Sequence, residues 1–413
     1  MYSFTNLTNT LNRFVEEGTL IGCGMQVISD DRVVYNHVTG NATLDGRLPL
    51  TEDTRLRLYS VSKTFTIAGF LKLYEKGFFS LDDPVSRYLP EFSHPVVCLS
   101  KEDISQVEPA KRPITIRHLL TMTSGIPYMG LSLGAGLVED AYYEKIDNML
   151  AKVRQGEQYR LKDFVRMIAD IPLCFHPGEQ WMYGFSHAVI GRLTEVLSGK
   201  SLGQYLKSEI WEPLGLSKTC FNIEVPKTET IADQIIFENV CHPLGQQAET
   251  HERTAQLAAG TVYGSKEDIM PLCTSGIEVP CAGMVSTMRD LGQFVRMLSN
   301  GGSYEGQRIL GQHTLNLARS DHLNSCQLKD FTQWENNRGF TYGLGYRTFR
   351  SCAEAGFYLP EGSFGWDGAT GCYLIANLKH RFGFVFVEQS MPDHIAYTIP
   401  RIVAALNSEC DLY

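Results

Sequence analysis

The chain has 413 residues, of which 43% are hydrophobic and 20% are charged, and its net charge is -9. This length supports a large buried core in one large domain or two interleaved domains, and the composition is that of an ordinary globular enzyme. The negative charge and the lack of any basic cluster argue against a nucleic acid as the partner.

The eleven cysteines are scattered from Cys23 to Cys410 and form no Cys-x-x-Cys pair. This pattern predicts reduced cysteines in a cytoplasmic protein, and it favours neither a disulfide framework nor a zinc site. The first residues show no basic segment followed by an apolar one, so no signal peptide is expected. No apolar run has the length that a membrane span needs.

The first predicted elements are a helix, a β-hairpin and a second helix. Residues 5–17 have the apolar spacing of a helix. Two β-rich runs at 22–28 and 32–35 flank an acidic turn and predict the hairpin. The apolar stretch from Val61 to Tyr74 then predicts a buried helix that ends at Gly77.

Helical periods dominate the middle of the chain from about residue 85. Helices are predicted over residues 115–122, 161–171, 187–197 and 202–211. Residues 129–160 are glycine-rich at first and then helical, and we expect them to cover a site as a lid. Residues 222–280 have weak periodicity and support no assignment.

Sheet character returns after about residue 280. The predicted elements there are a helix at 287–298, strands at 342–349, 372–377 and 383–387, and a closing helix at 395–406. The sequence therefore predicts an α/β domain formed by residues 1–84 and 281–413. A mostly helical domain, residues 85–280, is inserted into it, and the cleft between the two is the expected place for a site.

Ser60 and Lys63 are the candidate catalytic residues at the start of the buried helix. They lie three positions apart, so on a helix they share one face about one turn apart. A serine hydroxyl is a poor nucleophile until a base takes its proton, and a lysine can be that base when burial lowers its pKa. Because Ser-x-x-Lys is a two-letter pattern, the rest of the chain has to decide its meaning.

Several stretches in the right order resemble the serine β-lactamase and penicillin-binding protein superfamily, and most closely its class C β-lactamase-like branch with the family VIII carboxylesterases and related acyltransferases. They are Leu58–Phe65, Leu81–Val85, Pro113–Gly125, Pro177–Tyr183, Ala282–Thr287 and Phe364–Ala369. Each stretch is weak by itself, but together they span nearly the whole chain. The resemblance implies an α/β (α+β) fold of the β-lactamase/transpeptidase type, with an antiparallel sheet flanked by helices.

The same resemblance implies roles for individual residues. Ser60 is the acylated nucleophile, Lys63 is its activating partner, and Tyr183 shares the proton with Lys63. Trp366–Gly368 occupies the third motif, on a strand edge that faces the nucleophile. The backbone N–H groups of Ser60 and Ala369 form the oxyanion hole.

Two departures from the superfamily pattern bear on the substrate. Phe185 stands where the second motif usually has asparagine, and Trp366 stands where the third motif usually has lysine or histidine. A tryptophan at the latter position is similar to the esterase branch. Phe185, Trp366, Asp367 and Gly368 are predicted to contact the substrate. The two rings are expected to form flat apolar walls, and Asp367 to add a negative charge that disfavours a substrate carboxylate.

A positive charge from Arg347 or Arg350, on the neighbouring predicted strand, would offset that effect. Tyr183 and Trp366 also fit ordinary core packing. His118 and His187 are predicted to be structural. A Ser-His-Asp triad is the rival design for a hydrolase, but the sequence contains no Gly-x-Ser-x-Gly elbow.

The sequence thus favours a serine hydrolase or transacylase that cleaves a small-molecule carboxylic ester, with an amide as a further option. No metal or organic cofactor is expected, and no membrane span. Two alternatives stay open. One is a β-lactamase or D-amino-acid peptidase of the same fold, and the other is a non-catalytic binding protein that has kept the fold.

Overall fold

The computed structural model describes residues 3–128, 136–226, 229–237, 262–265 and 270–411. Part of the predicted lid, residues 129–135, lies outside this range, as does much of 222–280. Within the described residues, the helices are α1 Thr5–Glu16, α2 Ser62–Glu75, α3 Ile116–Leu120, α4 Leu137–Arg154, α5 Leu161–Ala169, α6 Ser186–Ser198, α7 Leu202–Leu206, α8 Met288–Ser299, α9 Gln312–Ala318, α10 Ser325–Phe331, α11 Cys352–Ala355 and α12 Ile395–Asn407.

The strands form one large sheet and several small ones. The strands of the described residues are β1 Gly22–Ser29, β2 Arg32–Gly40, β3 Leu56–Arg57, β4 Val96–Cys98, β5 Val107–Pro109, β6 Cys220–Phe221, β7 Gln234–Phe237, β8 Val262–Ser265, β9 Met284–Ser286, β10 Ser303–Tyr304, β11 Gln307–Arg308, β12 Phe340–Tyr342, β13 Arg347–Phe349, β14 Phe364–Asp367, β15 Tyr373–Asn377, β16 Phe382–Val387 and β17 Ser390–Met391. The large sheet is seven-stranded and antiparallel, in the order β12-β13-β14-β15-β16-β1-β2. The predicted N-terminal hairpin is confirmed as β1 and β2, which join the C-terminal strands at β16.

Helices cover both faces of this sheet. Neighbouring residues of a strand point to opposite faces. The Cys23 thiol of β1 donates to the Leu11 carbonyl oxygen of α1 on one side. On the other side, Gly24 faces the Met288 side chain of α8. Because β1 is covered on both sides, its residues 23–28 are all buried, which explains why its sequence shows no simple alternation.

The predicted strand at 342–349 is wrong in one respect, because it is two strands and a turn. β12 ends at Tyr342, β13 begins at Arg347, and the two pair with Tyr342 opposite Arg347. Gly345 in the turn has a φ of 82°, which only glycine adopts readily. A run of β-forming residues predicts one continuous strand unless the glycines within it are taken as signs of a turn.

The middle of the chain is mainly helical. α2 packs against α6, and α6 also contacts α3, α5 and α7. Gly69 of α2 allows a close approach, because a Cβ there would collide with the Leu206 side chain of α7. The division of the chain into domains at residues 84/85 and 280/281 stays a prediction. No helix in the described part of the chain combines the length and apolar character that crossing a membrane would take.

Candidate active site

The segment that carries Ser60 is held by a small three-stranded sheet. β3 pairs with β9, and the backbone N–H of Leu58 donates to the Met284 carbonyl oxygen over 2.9 Å. The chain then enters a 3-10 turn, Tyr59–Val61, that leads into α2. Tyr59 has a φ of 42°, a left-handed conformation that costs a non-glycine residue roughly 1 kcal/mol or more. Backbone strain is therefore stored next to Ser60, and burial of the Tyr59 ring offsets it.

Lys63 lies one turn further along, and its side chain is completely buried. Its Nζ donates to Ser60 Oγ over 3.0 Å and to the Cys281 carbonyl oxygen over 2.7 Å. Nζ also lies 4.7 Å from the centre of the Tyr183 ring and 5.3 Å from that of Tyr128. Two hydrogen bonds and two rings thus fix the amine beside the serine.

Tyr183 reaches Ser60 from the other side, and its hydroxyl donates to Ser60 Oγ over 2.6 Å. The loop that carries it is pressed against the chain at Ile126, because a Cβ at Gly184 would collide with the Ile126 carbonyl oxygen. Its ring stacks on that of Trp366, with centroids 5.7 Å apart, and meets that of Trp334 edge-on at 4.9 Å. The two tryptophans therefore fix the ring whose hydroxyl contacts Ser60.

The third motif approaches Ser60 along β14. A Cβ at Gly368 would collide with the Leu58 carbonyl oxygen, so only glycine permits this approach. Ala369 follows, and it lines the same cavity as Ser60. Trp366 is buried, and its Nε1 donates to the Tyr183 hydroxyl over 3.4 Å. The structure thus brings Ser60, Lys63, Tyr183, Trp366 and Ala369 together.

Asp367 is paired with Arg347, one of the two arginines that the sequence predicts could offset its negative charge. Its Oδ1 lies 2.6 Å from Nη2 of Arg347, and both side chains line the cavity. Burial raises the pKa of the Asp367 carboxyl, while the charges of Arg347 and Lys63 act against that shift. Arg350 lies apart from this pair, with Nη1 4.0 Å from Asp321. Arg347 is therefore the residue that supplies the positive charge.

Phe185 does not line the cavity, which corrects the prediction that it forms a wall for the substrate. Its ring is fully buried and stacks on those of Tyr128 and Tyr142, with centroids 4.4 and 5.8 Å away, while the Phe164 ring meets it edge-on. An apolar ring with three such neighbours is a core residue. Tyr128, which stacks on it, is the side chain that reaches the cavity.

The two histidines of this region lie outside the Ser60 contacts. His118 Nδ1 accepts from the Thr115 N–H over 3.1 Å at the start of α3. Burial and the nearby arginines lower the pKa of His118 to about 4. Burial, with a contribution from the charge of Lys63, lowers the pKa of His187 to about 3. Both side chains are therefore neutral at pH 7.

The cavity at Ser60 has a volume of about 610 Å³ and is lined mainly by aromatic and aliphatic side chains. One wall is a single stripe of α4: Tyr143, Ile146, Asp147, Leu150 and Arg154. Another wall contains Trp334, which follows α10. The sequence predicts that residues 129–160 cover a site, but it singles out neither these side chains of α4 nor Trp334. The stripe follows helical spacing and could have been found from it, whereas no local pattern marks Trp334.

Among the residues that the structure describes, no group of three or more histidine, cysteine, aspartate or glutamate side chains is arranged to bind a metal ion.

The fold and the Ser-x-x-Lys helix with its facing tyrosine define the serine β-lactamase and penicillin-binding protein class. The Beta-lactamase family matches residues 7–406, and the chain belongs to this family.

The chain is also similar to individual proteins of known activity. It is 36% identical to the acyltransferase calJ of Penicillium decumbens over 46% of this chain and 44% of that protein. It is 31% identical to esterase EstB of Burkholderia gladioli over 51% of this chain and 49% of that one. Among solved structures, it resembles EstCE1, a hydrolase with promiscuous acyltransferase activity, with a TM-score of 0.75, 21% identity and 97% of each chain covered. This last likeness shows the fold.

Proposed function

We propose that the protein is a serine hydrolase or acyltransferase that forms an acyl-enzyme on Ser60 from a carboxylic ester. The observation that carries the proposal is the position of Ser60 Oγ, which lies 3.0 Å from Lys63 Nζ and 2.6 Å from the Tyr183 hydroxyl. These are hydrogen-bond distances to two groups that can exchange a proton with the serine. The relatives calJ and EstB support the same kind of activity.

In the proposed first step, Ser60 Oγ attacks the ester carbonyl carbon and its proton passes to the Lys63–Tyr183 pair. The negative charge that develops on the carbonyl oxygen is held by the backbone N–H groups of Ser60 and Ala369. When the tetrahedral intermediate collapses, the bond to the alcohol breaks, and the departing oxygen takes the proton back. Water or a second alcohol then attacks the acyl-enzyme by the same route and releases the acid or a new ester.

The walls of the cavity favour an uncharged and largely apolar acyl group. Tyr128, Tyr143, Trp334 and Trp366 offer aromatic surface, and the charge of Asp367 is compensated by Arg347. A location in the cytoplasm belongs to the same proposal. Buried thiols such as Cys23, Cys281 and Cys372, which form no disulfide, support it.

The test is a panel of p-nitrophenyl esters of increasing acyl length, assayed beside nitrocefin. We expect the highest kcat/KM for a short or medium neutral ester and a much lower one for nitrocefin. Added butanol should yield a butyl ester if the acyl-enzyme also transfers to alcohols. A kcat/KM for nitrocefin above that of every ester would instead favour a β-lactamase. A protein that neither turns over substrate nor reacts with a fluorophosphonate would favour a binding role.

A further inference from the structure

The ion pair between Arg347 and Asp367 lies in the wall of the Ser60 cavity. Arg347 opens β13 and Asp367 ends β14, and these strands are neighbours in the sheet. Nη2 and Oδ1 lie 2.6 Å apart, with 2% of the arginine side chain and 21% of the aspartate side chain exposed. The carboxylate is thus the more exposed partner, and a molecule in the cavity meets it in preference to the guanidinium.

The other neighbours of the guanidinium are mainly aromatic. Its carbon lies 5.2 Å from the ring centres of Phe340 and Trp366 and 4.9 Å from that of Tyr373. Ring faces attract a cation but carry no net charge to balance it. The Asn337 amide oxygen is 3.5 Å from Nη1, and the charge of Asp393, which also lines the cavity, makes a smaller contribution than that of Asp367. Asp367 is therefore the principal counter-charge of a completely buried arginine.

A guanidinium at the side of a cavity is a natural receptor for a carboxylate, because its fork of N–H groups matches the two oxygens. Here that place is taken by a side chain of the protein itself. Asp367 also lies close to the chemistry, since it precedes Gly368 and Ala369 and the charge of Lys63 acts on it. A substrate carboxylate near Ser60 would then face Asp367 instead of a free arginine.

We propose that Asp367 is a built-in carboxylate that occupies the anion-binding place at Arg347, and that it thereby makes the site select uncharged acyl groups. This inference rests on the proposed function and names the determinant of its substrate class. Removing the Asp367 charge exposes Arg347 to the cavity. An acyl group that ends in a carboxylate then finds a partner there, whereas a neutral acyl group of the same length gains nothing.

The experiment compares two substrates that share a five-carbon acyl chain and a leaving group: p-nitrophenyl valerate and the p-nitrophenyl half ester of glutaric acid. The measured quantity is kcat/KM for the anionic ester divided by kcat/KM for the neutral one. In Asp367→Ala and Asp367→Asn this ratio should increase about tenfold or more over the wild type, since a charge interaction in a partly buried site has that size. Asp321→Asn is the matched control, because Asp321 pairs with Arg350 outside the cavity.

Breaking a buried ion pair lowers stability, so each variant is first checked by thermal melting. If Asp367→Ala does not fold, the test rests on Asp367→Asn, which keeps the shape of the side chain. The double variant Arg347→Gln/Asp367→Asn removes both charges and should return the ratio close to its wild-type value. Added acetate should raise the melting temperature of Asp367→Ala more than chloride does at equal ionic strength, and should not do so for the wild type.

Two results would overturn the inference. One is an unchanged ratio in a folded Asp367 variant, and the other is an increased ratio that persists without Arg347. Both are distinct from a failure of the proposed function. That failure would appear in the wild-type protein as the absence of hydrolysis of the neutral ester and of fluorophosphonate labelling at Ser60.

Discussion

The hydroxyl of Tyr183 donates to Oγ of Ser60 over 2.6 Å, although the two residues are 123 positions apart in the chain. The contact joins the start of α2 to the loop before α6. Two helices that pack side by side therefore set the distance between the serine and its partner.

Ser60→Ala should abolish fluorophosphonate labelling and lower ester hydrolysis about a thousandfold or more, because the covalent intermediate is lost. Ser62→Ala is the matched control, since Ser62 Oγ is buried and accepts from the Met284 N–H over 3.2 Å. Intact-mass and peptide mass spectrometry locate the adduct. An adduct on Ser62 or Ser186 would contradict the assignment.

Tyr183→Phe should keep the ring contacts with Trp366 and Trp334 and remove only the hydroxyl. We expect kcat to decrease about 10²- to 10⁴-fold, because general acid–base catalysis by one side chain usually contributes that much to the rate. The melting temperature should stay nearly unchanged. Tyr205→Phe removes a hydroxyl that donates to the Gly69 carbonyl oxygen, and it should cost stability but not activity. If both variants kept full kcat, Tyr183 would have no role in proton transfer.

Gly184→Ala should lower kcat about 10²-fold, because the collision with the Ile126 carbonyl oxygen displaces Tyr183. Gly18→Ala is the control for a glycine replacement that lowers stability without displacing the site. Gly18 has a φ of 71° but open space around it, so this variant should lose about 1–2 kcal/mol of stability and keep its activity. Equal activity of the two variants in steady-state assays would mean that the loop adapts.

Tyr143→Ala should weaken the hydrolysis of long acyl esters while leaving that of acetate esters unchanged. The ring is 41% exposed and lines the cavity, so its loss removes substrate contact without opening the core. We expect KM for an octanoate ester to increase about three- to tenfold. Tyr358→Ala, at a 54% exposed tyrosine away from the cavity, is the control. The same KM change in both variants would exclude a specific contact.

Stability should fall in acid as the buried histidines become protonated. The pKa is about 4 for His118 and about 3 for His187 in the folded protein, and about 6.5 in an unfolded chain. Their contribution is complete above about pH 6.5 and is lost as the pH falls towards 4 and 3. Near pH 5.5 each histidine adds about 1.2 kcal/mol per pH unit to the slope, because the unfolded side chain is then about 90% protonated and the folded one nearly neutral. Urea midpoints from pH 8 to 4.5 should show a smaller slope for His118→Gln, and an equal slope would contradict this.

Much of the fold could be predicted from the sequence. Local patterns of apolar and turn-forming residues indicate the hairpin of β1 and β2, the buried helix α2 and the strands β15 and β16. Ser60 and Lys63 share a local spacing as well. Only the resemblance to a known motif predicts the role of Tyr183, since nothing local shows that a tyrosine in a loop faces a distant serine.

The remaining features depend on tertiary contacts. The position of Phe185 in a motif predicts a place at the cavity, but three neighbouring rings hold its side chain in the core. The pairing of Arg347 with Asp367 requires two strands to lie side by side, and residue order alone does not give that register. Trp334 reaches the cavity from a segment that carries no motif at all.

The stripe of α4 that faces the cavity extends from Tyr143 to Arg154, about 16 Å along the helix axis at the usual rise per residue. Ser60, Lys63 and Tyr183 come from other segments. The accepted length of the acyl group and the chemistry at the ester are therefore determined by separate parts of the chain. Residues on successive turns of α4 line the cavity at increasing distances along the helix axis. Exchanging a single side chain at position 143, 146, 150 or 154 should shift the accepted acyl length in steps of about one helical turn, or 5.4 Å. Directed evolution of acyl length can therefore begin with this helix, while Trp334 and Asp367 in the other walls are left unchanged.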